Sequence, residues 1–417
     1  MQGLSPALSP SQEVLMKKVL VVSHAMEIGG AERALIGLLS AFDLSEYEVD
    51  LFLMRHSGEL MGLIPDGINL LPEKKAYSCM AVPIKNVVMK LQFKVGIGRL
   101  KGKRAAARYA KEHGINGGAV ALEYSHKYTV GRMPMISDKE YDLAISFLTP
   151  HYYTAQKCRA AKKIAWIHTD YSFIDVDVES ELVMWSAYDK IASISDDVSR
   201  AFIRKFPSLE EKLIRIDNII SPESIRKCAD AIDVSEEMDG KIRLLSCGRF
   251  CEAKNFDNIP DICRRLVDLG NDVKWYLIGF GGDEELIRGK ISVFGVENRV
   301  VILGKKSDPY PYMKACDIYV QPSRYEGKAV AVREAQIIGK PVVITAYATA
   351  ESQLTNGFDG IIVPMENQGC AGGISELIRD KEKQKTLSEN CLSTDYSNKS
   401  EIKKVYDIIN ESMRSSL

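Results

Sequence analysis

A chain of 417 residues exceeds what one hydrophobic core ordinarily serves and leaves room for two or three domains. With 46% apolar and 27% charged residues it has the make-up of a globular protein, not of a disordered or fibrous one, and a formal net charge of −1 excludes the overall basic field of most nucleic-acid binders. Nine scattered cysteines, an odd number with no C-x-x-C pair and no His pair beside Cys247 and Cys251, argue for reduced thiols over a disulfide or zinc framework.

Residues 1–15 are polar, carry two Ser-Pro steps and read as a loose leader. Met16-Lys17-Lys18 before Val19–Val22 imitates a signal peptide, but the apolar stretch is too short for one, and no run of about 18 apolar residues crosses a membrane. The spacing predicts strands at 18–23, 48–54, 141–147, 163–168 and 190–195. A second block follows at 242–247, 273–278, 299–303, 317–321, 341–345 and 360–363. Most are continuously apolar, as a parallel sheet covered on both faces requires, and they alternate with helical patterns. Two doubly wound α/β domains are therefore expected.

The first strand leads through a long loop, His24 to Gly30, into a helix; Gly29-Gly30 is not G-x-G-x-x-G, so no dinucleotide fingerprint is present. From Lys85 to Lys111 there are nine Lys or Arg and no Asp or Glu. Ile84, Val87, Val88, Leu91 and Val95 recur at helical spacing, with Lys85, Lys90 and Lys94 displaced from that stripe. Such a helix suits an anionic membrane surface, and equally a packed helix with a basic outer face. Aromatic residues are too few there for nucleic acid.

His168 ends the strand at 163–168; a lone His is more often structural, but at this end of a strand a side chain faces a ligand in open sheets. Asp175-Val176-Asp177 is a D-x-D, but it leads into a helix at 178–187 and reads as an N-terminal charge cluster, not a metal site. Ser221-Pro222-Glu223 opens a helix at the domain boundary, with Ser as N-cap and Pro at the first position. The expected division is 16–217 for the first domain and 218–393 for the second. A final helix near 399–413, within 394–417, has Ile402, Val405, Ile408 and Ile409 on one face, which must be buried, and it is expected back on the first domain.

In the second half, Arg249 and Lys254 sit just past a strand, before a helix expected to begin near Asn255. Two cations there suit a diphosphate, or are solvated surface charges. Glu326 and Glu334 lie eight apart in Tyr325-Glu326-Gly327-Lys328-Ala329-Val330-Ala331-Val332-Arg333-Glu334-Ala335, after the strand at 317–321. Glu326 falls in the loop and Glu334 in the following helix, whose first N–H groups suit a phosphate; alternatively Glu326 is an N-terminal helix charge and Glu334 an exposed helix residue.

These residues, in this order, resemble glycosyltransferase family 4. The Glu-x7-Glu segment is similar to its signature, as are Gly339-Lys340-Pro341-Val342-Val343 and Asn356-Gly357-Phe358-Asp359-Gly360-Ile361-Ile362-Val363-Pro364 downstream. Gly248-Arg249 with Lys254-Asn255, Ile278-Gly279-Phe280-Gly281, Leu303-Gly304 and Gly29-Gly30-Ala31-Glu32-Arg33 resemble further family motifs. The resemblance is close over 241–364 and 18–40 and thin over 57–140. It implies a GT-B fold, two doubly wound Rossmann-like domains facing across a cleft. It also implies a retaining transfer of a hexosyl group from a nucleotide-diphosphate sugar to a saccharide or lipid-linked saccharide, in cell-surface polysaccharide or glycolipid synthesis. No cofactor and no metal is expected, and the place of work is the cytoplasm or the inner membrane face.

By the same resemblance Gly29, Gly30, Gly248, Gly279, Gly304, Gly327, Lys328, Ala329 and Val330 line the donor, and Arg249 and Lys254 hold its diphosphate. Glu334 takes the ribose, while Glu326 and His168 face the sugar. Lys328 stands where the family has an aromatic residue and Ala329 where it has glycine, which alters the sugar pocket. A sugar phosphorylase or nucleotide-sugar epimerase on the same fold is the alternative. A glycosidase would need carboxylates about 5–5.5 Å apart, which this placement of the two glutamates disfavours. A non-catalytic partner would not need all four of Arg249, Lys254, Glu326 and Glu334.

Overall fold

The computed structural model describes residues 16–27, 29–83, 87, 91–115, 117–148, 151–326 and 329–414. The chain divides into two compact units, one that runs to Ile220 and resumes at Asn398, and a second spanning Ser221–Ser397.

The first unit has seven parallel strands: β1 Lys17–Ser23, β2 Tyr47–Leu53, β3 Asn69–Leu70, β4 Glu140–Ser146, β5 Arg159–Ile167, β6 Lys190–Ser193 and β7 Leu213–Arg215. Their order across the sheet is β3-β2-β1-β4-β5-β6-β7. Period-two alternation fills both faces: Val19 and Val21 enter one core cluster, Leu20 and Val22 the other. Apolar runs mark the central strands, whereas β5 starts four residues before the expected 163. Its Arg159-Ala160-Ala161-Lys162-Lys163 start lacks an apolar run and is set by its pairing with Glu140–Leu143 of β4. The edge strands β3 and β7 are two and three residues long, too short for any periodicity.

After the second unit the chain returns, and the helix Ile402–Arg414 covers the face built on Val19 and Val21. Ile402, Val405, Ile408 and Ile409 are all buried, and Tyr406 stacks on Tyr47 with ring centroids 4.4 Å apart. The Tyr406 hydroxyl accepts the Asp43 N–H at 2.8 Å, and Glu401 accepts the Asp217 N–H at 2.9 Å. Ile409→Ala should therefore cost about 2–4 kcal/mol in a urea titration, and the exposed Lys403→Ala less than about 0.5 kcal/mol. Equal costs would contradict this packing.

The basic segment differs from the expected single amphipathic helix. Leu91 has φ 57°, so the backbone breaks there, and the long helix is Phe93–His113. Ile84, Lys85, Val88 and Lys90 lie outside the described residues. Its inner face is made of small residues, Gly98, Gly102 and Ala106, all buried. A Cβ at Gly98 would stand 2.7 Å from Tyr128 O, and one at Gly102 2.6 Å from Tyr124 O. The helix thus touches the backbone of the helix Gly118–Val130, forming a tight antiparallel pair. Its outer stripe is Phe93, Ile97, Leu100, Arg104, Arg108 and Lys111, all exposed.

The second unit has six parallel strands: β8 Ile242–Cys247, β9 Val273–Ile278, β10 Val300–Gly304, β11 Ile318–Gln321, β12 Val342–Thr345 and β13 Ile361–Val363. Their order is β10-β9-β8-β11-β12-β13. The order reverses between β8 and β11, and open α/β sheets bind ligands beyond the carboxyl ends of the strands at such a point.

Candidate donor site

Gly248 and Arg249 follow β8, Gly279 follows β9, Gly304 ends β10, and Glu326 lies beyond β11, so all five share the carboxyl edge of the second sheet. The loops after β8 and β9 approach so closely that a Cβ at Gly279 would lie 1.8 Å from Gly248 O. Gly279 also has φ 152°, so only glycine fits there. Arg249 is exposed and has no ion pair among the described residues.

Lys254 does not precede a helix directly, as expected. It closes a short 3-10 turn, Glu252–Lys254; Asn255 has φ 60°, a second 3-10 turn covers Phe256–Asn258, and the α-helix begins at Ile259. The reason is the Asn255 side chain, 1% exposed, whose Nδ2 donates to Pro322 O at 2.8 Å. Arg324 adds its N–H to Ala253 O and its guanidinium to both oxygens of Asp257, at 2.9 and 3.1 Å. These bonds tie the loop after β8 to the loop after β11. In consequence Lys254 Nζ donates to Glu326 Oε1 at 2.6 Å.

That carboxylate oxygen is crowded: Ser323 Oγ donates to it at 2.6 Å and Gln321 Nε2 at 3.4 Å. Behind it a relay continues, from Tyr319 Oη to Gln321 Oε1 at 2.8 Å and from Gln321 Nε2 to Ser323 Oγ at 2.9 Å. Glu326 is thus a pinned carboxylate with three donors on one oxygen. Sequence reasoning passed over Tyr319, Gln321 and Ser323; polar residues ending an apolar strand were the available signal.

The helix Val330–Ile337 starts without a side-chain cap, and the Ala329 N–H is already taken by Gln353 Oε1 at 2.9 Å. Gly327 and Lys328 lie outside the described residues. Val330 is exposed at the first helical position. Glu334, 8% exposed, accepts the Tyr310 hydroxyl at 2.6 Å.

The remaining expected residues belong to the first unit. Gly29 caps the helix Gly30–Ala41 without a side-chain bond, and a Cβ at Gly30 would meet nothing within 4 Å, so the fold itself does not demand glycine there. His168 follows β5, packs its ring 4.5 Å from Phe147, and leaves its buried Nε2 without a partner. Burial lowers its pKa to about 4, so the imidazole is neutral at pH 7. Asp177 is engaged as an N-cap: Oδ1 accepts the Ser180 N–H at 3.1 Å and Oδ2 the Tyr124 hydroxyl at 2.6 Å. Among the described residues no group of three or more His, Cys, Asp or Glu is placed to hold a metal ion, and no helix is long and apolar enough to cross a membrane.

Residues 229–393, nearly all of the second unit, match the family model described as Glycosyl transferases group 1. The chain is similar to the uncharacterized glycosyltransferase MJ1069 of Methanocaldococcus jannaschii, at 25% identity over 55% of this chain and 63% of that one. It is similar to the lipopolysaccharide core biosynthesis glycosyltransferase LpsE of Rhizobium meliloti, at 27% identity over 35% and 42%. A Campylobacter jejuni N-acetylgalactosaminyltransferase acting on a diphospho-undecaprenol glycan is 23% identical over 45% and 50%. The chain thus spans less than two thirds of the length of each of these relatives.

Among solved structures, TarM superposes with a TM-score of 0.59 at 13% identity, covering 95% of this chain and 100% of that one. The Anabaena protein HepE, solved with UDP and glucose, gives 0.54 at 17% over 96% and 100%. Likenesses at this identity define the fold, which is GT-B with two Rossmann-like units. The match to the glycosyl transferases group 1 model falls within the second unit.

Proposed function

We propose that the protein is a retaining glycosyltransferase that moves a hexosyl group from a nucleotide-diphosphate sugar to a saccharide or lipid-linked saccharide, in cell-surface polysaccharide or glycolipid synthesis. The observation that carries this reading is the meeting of Lys254 and Glu326 at the strand-order reversal of the second sheet, where the loop after β8 also carries Arg249. In this reading Arg249, Lys254 and the start of the helix Val330–Ile337 stabilise the departing diphosphate, with Gly248, Gly279 and Gly304 keeping the strand ends open. Glu326 faces the sugar and Glu334 the ribose. By the resemblance of their motifs His168, Gly29 and Gly30 are read as further donor contacts, His168 as a neutral hydrogen-bonding group. No metal takes part. Retention then follows from attack on the face the diphosphate leaves, with the diphosphate taking the acceptor's proton. The test is proton NMR of the product formed from an α-configured donor: an α-linked product is expected, and a β-linked product would overturn the mechanism.

The membrane surface belongs to the same proposal. It is supported by the outer stripe of the helix Phe93–His113, where exposed Phe93, Ile97 and Leu100 continue into Arg104, Arg108 and Lys111, with exposed Leu91 just before it. Apolar residues beside cations suit the interface of an anionic leaflet on the cytoplasmic side, where a lipid-linked acceptor is presented. At ~1 kcal/mol per cation, Lys94→Glu/Lys101→Glu/Arg104→Glu should weaken binding to anionic vesicles roughly a hundredfold in co-sedimentation. Equal binding of wild type to neutral and anionic vesicles would remove the membrane from the account.

A further inference from the structure

Tyr347 lies two residues past β12, the neighbour of β11, so its loop borders the one that carries Glu326. The residue is 3% exposed, and its hydroxyl is buried without a hydrogen-bond partner among the described residues. The other buried tyrosines of this unit all donate to protein acceptors: Tyr276 to Asp239, Tyr310 to Glu334, Tyr312 to Glu237, Tyr319 to Gln321 and Tyr396 to Asp359. An unmet buried hydroxyl is a cost that a fold bears only where something else completes it.

The loop is held in place. Tyr347 N–H bonds Thr345 O at 2.8 Å, Ala350 N–H bonds Tyr347 O at 2.9 Å, and Thr349 Oγ1 donates to Glu326 O at 2.8 Å. Burial first, and the nearby Glu326 charge second, push the phenol pKa up, so the hydroxyl keeps its proton. Glu326 meanwhile has all its described donors on Oε1, and Oε2 has no partner among the described residues. A free carboxylate oxygen and a free phenol together ask for a group that donates to one and accepts from the other. A sugar hydroxyl does both. A phosphate oxygen does not, and the carboxylate would repel it.

We propose that Tyr347 is a specificity-determining residue whose hydroxyl, with Glu326 Oε2, takes one hydroxyl of the donor's sugar. This rests on the donor-site reading above. The test is calorimetry on the full chain with UDP-glucose, UDP-N-acetylglucosamine and GDP-mannose, each beside its own nucleoside diphosphate. For the nucleotide sugar that wild type binds, Tyr347→Phe should weaken affinity about tenfold, the scale of one hydrogen bond, and leave the diphosphate affinity within about twofold. The melting temperature of the unliganded variant should be equal or higher, because no protein bond is lost. Unchanged sugar affinity, equal weakening of sugar and diphosphate, or a fall in unliganded stability would overturn the proposal. If wild type binds the diphosphates and none of the nucleotide sugars, the sugar contact fails while the phosphate site stands. If it binds neither, the donor-site reading fails and takes this inference with it.

Discussion

Arg249→Ala and Lys254→Ala should each lower kcat/KM by about 10²–10³-fold, the usual cost of removing one group that stabilises charge developing in the transition state. The two variants should part company in stability. Arg249 is exposed and makes no ion pair among the described residues, so its loss should change unfolding free energy by less than about 0.5 kcal/mol. Lys254 neutralises a carboxylate whose side chain is only 7% exposed, so Lys254→Ala should cost about 1–3 kcal/mol as well. Steady-state kinetics with urea titrations of both variants checks this. Near-normal kinetics in both would remove the diphosphate role, and an equal stability loss in both would contradict the pairing of Lys254 with Glu326.

Glu326→Gln should lower kcat about a hundredfold while leaving the affinity for the nucleoside diphosphate unchanged or tighter. The amide still accepts from Ser323 and keeps the shape of the loop, but it no longer neutralises Lys254. The freed ammonium is then available to a diphosphate, so the sign of the binding change is opposite to that of the rate change. Single-turnover kinetics and diphosphate titrations separate the two. Weaker diphosphate binding by the Gln variant would place Glu326 in a structural role rather than beside the sugar.

Much of the frame is legible in the sequence because it rests on apolar runs. The central strands β1, β2, β4, β8, β9 and β12 bury side chains on both faces, and mostly apolar residues mark them. The apolar face of Ile402, Val405, Ile408 and Ile409 marks a helix that needs a partner, and in the structure that partner is the β1 face of the first unit. What is not legible depends on contacts distant in sequence. The left-handed turn at Leu91 has no local signal, since leucine disfavours it. The helix expected near Asn255 begins as a 3-10 turn, Phe256–Asn258, and turns α-helical only at Ile259, while the bond that fixes Asn255, to Pro322, lies far along the chain. Within the site, the Glu-x7-Glu spacing marks Glu326 and Glu334, but not that one is pinned by Lys254, Ser323 and Gln321 and the other met by Tyr310. Lys254 becomes visible as a partner only once β8 and β11 lie side by side.

On the function proposed above, the second unit binds a nucleotide sugar and expels its diphosphate. Release of nucleoside diphosphate from a panel of nucleotide sugars, measured with the full chain, anionic vesicles and an undecaprenyl-diphosphate-linked saccharide, tests it most directly. Acceptor-dependent release from one donor, lost in Arg249→Ala, is expected; release from none, or release untouched by Arg249→Ala, would overturn the proposed function.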